Sequence, residues 1–113
     1  MAVQEWSDNI WVVRLGDEPS LSEDLLRLKD WFERAPRIPD LVVDLSAVAQ
    51  LNSSHLSQLL RLRRAAIDRE ARLLLAKPPD HVWALFLTTG LDKVFDFAPD
   101  VSTALAGLRM KKK

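Results

Sequence analysis

At 113 residues the chain is the length of one domain, and 48% hydrophobic residues suffice for a packed core rather than a disordered chain. Sixteen Lys and Arg balance sixteen Asp and Glu, so the zero formal charge argues against a dedicated nucleic-acid partner. With no cysteine, a disulfide framework and a thiolate metal site are both excluded.

Met1 to Trp6 has neither a basic start nor an apolar stretch, so it does not read as a signal peptide. No apolar run approaches the roughly 20 residues of a membrane span. A cytoplasmic, soluble domain without membrane insertion is expected.

The first element is a strand over 10–15, Ile-Trp-Val-Val-Arg-Leu, rich in β-branched and aromatic residues. Val3 to Trp6 can pair with it as a hairpin across Ser7-Asp8-Asn9. Gly16-Asp17-Glu18-Pro19-Ser20 breaks the strand. Ser20 or Ser22 can cap the next helix, and Glu23 takes the capping-box position relative to Ser20. Leu21, Leu25, Leu28 and Phe32 then recur at helical spacing, flanked by Leu26 and Trp31. Glu23, Asp24, Arg27, Lys29, Asp30 and Glu33 are expected to face water, with Glu23 and Arg27 as an i,i+4 pair. Pro36 and Pro39 end the helix.

Residues 41–45, Leu-Val-Val-Asp-Leu, read as a central strand buried on both faces. Asn52-Ser53-Ser54 follows, three residues that favour helix N-caps. A helix is expected over about 54–69, with Leu56, Leu59, Leu60 and either Ala66 or Ile67 on its apolar side. Gln58, Arg61, Arg64 and Asp68 form its outer face, with His55 a further candidate there. The run 71–76 is another short apolar strand, and Lys77-Pro-Pro-Asp80 turns into a helix over 81–89 closed by Gly90. A short strand is expected over 94–97. Asp100 or Ser102 then opens a last helix through Val101, Leu105 and Leu108. Residues 1–109 make the domain, and 110–113 a disordered basic tail.

Strands alternating with helices imply an α/β fold: one mixed, mostly parallel sheet of four to five strands with about four helices packed on it.

The start of the second helix is the candidate site. Unpaired backbone N–H groups and the positive end of the helix dipole lie there, beside the hydroxyls of Ser53 and Ser54. Such a place suits a phosphate or another anion.

Val43-Asp44-Leu45-Ser46, a spacer, Asn52-Ser53-Ser54 and a Leu-rich helix resemble the central motif of the STAS domain, best known in bacterial anti-sigma-factor antagonists. The likeness continues through Leu73-Leu-Leu-Ala-Lys-Pro-Pro-Asp80, Val82 to Leu87, Thr89-Gly90-Leu91-Asp92-Lys93-Val94-Phe95, Asp100-Val101 and Ala104-Leu105. It thus covers nearly the whole chain. In that family an Asp-Ser-Ser/Thr-Gly motif carries a serine that a partner kinase phosphorylates. Asn52 stands in place of the Asp and His55 in place of the Gly. Asn keeps the capping capacity without the charge, and His adds bulk and a titratable ring. Gly16 matches the family's Gly-Glu-Leu-Asp segment, whereas Pro19 replaces its final acid.

The resemblance implies a binding module rather than an enzyme, with no cofactor of its own. It would bind an anti-sigma factor of the ATP-dependent serine-kinase type and free the sigma factor. Phosphorylation of Ser53, with Ser54 the second choice, would end the binding, and a phosphatase would restore it. The implied contact surface comprises Asn52, Ser53, Ser54, His55 and Leu56, with Gly16, Asp17, Glu18, Pro19 and Ser20. The alternative is a STAS module that is not phosphorylated: a signalling scaffold, or a small subunit docked on a transporter ATPase.

Other readings are weaker. Ser53, His55 and Asp44 are the raw material of a hydrolytic triad, but residues two apart at a helix start point in different directions. His55 and His81 lack the spacing of a metal site. Arg61, Arg63, Arg64, Arg69 and Arg72 read as a solvated face beside Asp68 and Glu70 rather than as a nucleic-acid or lipid surface. The helix holding Trp83 and Phe86 is apolar nearly all round. One side must pack on the sheet, and the other offers a patch for a partner or a homodimer.

Overall fold

The computed structural model describes residues 1–110. The elements are β1 (Ala2–Ser7), β2 (Ile10–Arg14), α1 (Leu21–Arg34), β3 (Asp40–Asp44), α2 (Ser53–Asp68), β4 (Leu73–Ala76), α3 (Asp80–Thr89), β5 (Asp96–Ala98) and α4 (Val101–Met110), with a 3-10 turn at Leu91–Lys93. The expected tail begins inside α4 at Met110, and residues 111–113 lie outside the described residues.

The strands lie in the order β1-β2-β3-β4-β5. β1 runs antiparallel to β2, with a break in register between Glu5 and Ser7. The other neighbours are parallel, as helical crossovers require. The pleat sends Val13, Leu41, Val43 and Leu75 to one face, where α1, α2 and α3 cover them. Val12, Val42 and Ala76 point the other way, under Ala104 and Leu108 of α4. β3 is therefore buried on both faces, and Leu41, Val42 and Val43 are all fully enclosed. Each such side chain contributes about 1.5–3 kcal/mol of burial. Phe86 meets the edges of Phe95 and Phe97 at centroid distances of 5.8 and 5.0 Å and closes the far end of this core.

Several elements differ from expectation. β4 starts at Leu73, not at residue 71, and β5 begins only at Asp96, because the Val94 and Phe95 amides are tied back to the Leu91 carbonyl of the 3-10 turn. Ala66, not Ile67, lies in the core; Ile67 is 45% exposed. Asp24 does not face water. It is buried, with a carboxylate oxygen 3.3 Å from the Met1 ammonium group. Ser20 is the N-cap of α1 but makes no side-chain capping bond; the Glu18 carboxylate takes the Ser22 N–H at 3.2 Å instead. Gly90 does end α3, in the left-handed conformation at φ 77° that favours glycine. Asp100 opens α4 by accepting the Thr103 N–H at 2.7 Å, and this bond holds its carboxyl below the ordinary range.

The parallel sheet delivers the β2–α1 and β3–α2 loops to one end of the molecule. The candidate site lies there.

Candidate functional site: two loops joined at the start of α2

Asn52 is the N-cap of α2, with extended backbone geometry. Its side-chain oxygen accepts the His55 N–H at 3.0 Å, and its own N–H donates to His55 Nδ1 at 3.0 Å. This is a reciprocal capping box in which His takes the third helical position usually held by Glu or Gln. The Asn52 carbonyl accepts the Leu56 N–H at 3.1 Å. The amides of Ser53 and Ser54 are left. Among the described residues neither these N–H groups nor the two hydroxyls have a protein partner, and both residues are exposed.

His55 is 3% exposed, so the expectation of an outer-face position was wrong. The spacing from Asn52 was the available signal: a residue three beyond an N-cap can turn back to it. The other ring nitrogen, Nε2, lies 2.7 Å from a Glu18 carboxylate oxygen. Because Nδ1 accepts from Asn52, the proton sits on Nε2 and is donated to Glu18. The Glu18 carboxylate also accepts from the Ser22 hydroxyl and N–H. These bonds, that of His55 above all, hold the Glu18 carboxyl down to about 2. Leu56, expected on the contact surface, is likewise buried, at 7% exposure.

Asp17 reaches across from the same β2–α1 loop, its Oδ1 accepting the N–H groups of Ala49 at 2.8 Å and Gln50 at 3.2 Å. The His81 ring on α3 bonds to the Ala49 carbonyl. Gln58 donates to the Ser22 carbonyl at 2.9 Å. Asp17, Glu18, Gln50, Asn52 and His55 thus line a cleft of about 370 Å³ between the loops. Pro19 and Ser20 are exposed on the first loop, and Gly16 is half-buried. A Cβ at Gly16 would meet open space, so no local packing demands glycine there.

Among the described residues no base hydrogen-bonds Ser53. Both His55 nitrogens are engaged elsewhere, and Asp44 accepts the Ser46 N–H at 2.9 Å. The arginine set also divides. Arg69 donates to the Phe32 and Ala35 carbonyls at 2.7 Å, while Arg72 pairs with Asp40 at 3.1 Å and donates to the Leu108 carbonyl at 2.8 Å. Only Arg61, Arg63 and Arg64 are left on the α2 surface, and Arg64 pairs with Asp68 at 3.4 Å. A larger cleft of about 840 Å³ lies at the opposite end of the sheet, but its Asp40 and Arg72 are spent on each other.

A family model described as "Mlab, STAS domain" matches residues 5–99. The chain belongs to the STAS-domain family. Among solved structures, a candidate anti-sigma factor antagonist from Thermotoga maritima superposes with a TM-score of 0.74 at 16% sequence identity. The match covers 96% of this chain and 93% of that one, and the shared fold is the five-stranded STAS sheet with its helices. No curated protein matches the sequence significantly. Among the described residues no helix is long and apolar enough to cross a membrane, and no group of three His, Asp or Glu could hold a metal ion.

Proposed function

We propose that this STAS domain is an anti-sigma-factor antagonist that binds an anti-sigma serine kinase in the cytoplasm and is released by phosphorylation of Ser53. One observation carries the reading: an exposed, unpartnered hydroxyl stands beside two open N–H groups on a helix start that its own capping box holds in place. A phosphate there would add about −1.5 to −2 charges, which the helix end can accommodate without rearranging the domain. In a closed interface the same charge would have to be desolvated, so the complex would come apart. Asp17 and Glu18 line one cleft with Asn52 and His55, the neighbours of the serines in sequence, and with Pro19 and Ser20 would supply the second half of the contact surface. A phosphatase would reset the cycle.

The test is phosphate transfer from ATP with the purified kinase partner. Wild type and Ser54→Ala should label, and Ser53→Ala should not. A second reading, a STAS scaffold or transporter subunit that is never phosphorylated, draws on the Asn52 side chain. It is turned to the His55 amide, and no carboxylate hydrogen-bonds Ser53 among the described residues. Partner binding without labelling of either serine would establish that reading in place of the first.

A further inference from the structure

Three ties join the β2–α1 segment to the β3–α2 segment: Asp17 to Ala49 and Gln50, Glu18 to His55, and Ser22 to Gln58. The middle tie alone contains a group whose ordinary titration falls between about pH 5 and 8. It is also the one that reaches the N-cap itself.

We propose that His55 is a positioning residue whose neutral Nε2–H ring clasps the Glu18 loop to the Asn52 cap of α2, and whose protonation opens the Asn52 side of that clasp. The geometry sets the direction. Asn52 N–H lies 3.0 Å from Nδ1, a contact that is favourable only while Nδ1 carries a lone pair. A proton on Nδ1 would place two donors face to face, with the ring itself buried at 3% exposure and unable to turn its Nδ1 to solvent without leaving the cap. Glu18, at 2.7 Å, keeps hold of Nε2–H in either state. The charged groups that share the cleft with the ring are the Glu18 carboxylate, bonded to it, and the Asp17 carboxylate, bonded to the Ala49 and Gln50 amides. From α3, His81 holds the neighbouring Ala49 carbonyl by a donated N–H. Among the described residues no Lys or Arg lines the cleft. Protonation therefore leaves the ring with Glu18 and withdraws it from the cap. Where this bears on partner binding it rests on the contact surface proposed above; the clasp itself does not.

The experiment uses the full-length, 15N-labelled free protein. Long-range imidazole spectra should show Nδ1 as the unprotonated nitrogen of neutral His55. As the ring titrates, exchange of the Asn52 amide, corrected for its intrinsic rate, should accelerate by roughly five- to tenfold, the change expected for one lost capping bond. His55→Gln supplies the control. A Gln at this position can accept from Asn52 and donate to Glu18 without titrating. Its Asn52 protection should stay flat over the same pH range, whereas His55→Ala should be unprotected throughout. Protonated Nδ1 in the neutral ring, Asn52 exchange indifferent to His55 titration, or the same pH dependence persisting in His55→Gln would each overturn the proposal. Partner affinity should fall with the same midpoint in wild type and not in His55→Gln. Affinity that ignored pH while the spectra behaved as expected would uphold the clasp and overturn the contact surface.

Discussion

Asp17 and Ala49 are 32 positions apart in sequence, yet the Asp17 carboxylate accepts the Ala49 amide at 2.8 Å. The same oxygen takes the Gln50 amide at 3.2 Å, so one exposed acid satisfies two backbone donors that no strand or helix could pair. Asp17→Ala should speed amide exchange at Ala49 and Gln50, leave β3 unchanged and cost about 1 kcal/mol. Asp17→Asn, which keeps the acceptor oxygen, should recover part of that. Residue-resolved exchange with a thermal melt checks both.

The depressed Glu18 carboxyl gives the site an acid limit. Its folded-state value, about 2, lies below the ordinary 4.5, chiefly through the His55 bond. A group depressed in this sense stabilises the fold fully above the ordinary value, and the contribution is lost as pH falls towards the folded one. Glu18→Gln should therefore flatten the acid arm of stability between about pH 4.5 and 2, as read from urea midpoints. Identical arms in the two proteins would exclude the pairing.

Arg69 caps a helix to which it does not belong. Its guanidinium donates to the last carbonyls of α1 at Phe32 and Ala35, and places a cation at the negative end of that helix. Arg69→Met should cost about 2 kcal/mol, and Arg69→Lys somewhat less because an ammonium lacks the forked geometry. Urea denaturation separates the two.

Phe86 is fully enclosed by Phe95 and Phe97. Phe86→Ala should cost about 3–5 kcal/mol by leaving a cavity. Because Phe86 does not line the cleft of Asp17, Glu18, Asn52 and His55, binding by the folded fraction should be unchanged, and isothermal titration below the melting range would show it.

Much of the fold was legible because hydrophobic period and turn residues agree. The 41–45 run, the Leu21-Leu25-Leu28-Phe32 stripe and the Gly90 stop each carry a local signal that tertiary structure had no reason to override. The Asn52-Ser53-Ser54 start of α2 was legible for the same reason. What escaped was long-range pairing. Nothing near Asp24 announces that the chain's first ammonium group will reach it, and the acceptors of Arg69 and Arg72 lie on segments more than thirty residues away. His55 falls between these cases. Its spacing from Asn52 permitted a capping box, but Glu18, the partner that draws the ring inward, is 37 residues upstream.

The interruption in pairing between Glu5 and Ser7 bears on how copies of this molecule coexist in a crowded solution. A straight outer strand would offer its unused amides to any neighbour and invite stacking into fibres. Here that margin is twisted by the interruption and carries the negative charge of Glu5, while the opposite margin, β5, is three residues long and gives a newcomer little to grip. Protection against runaway assembly is thus written into the two outermost strands, apart from the residues that would recognise a partner.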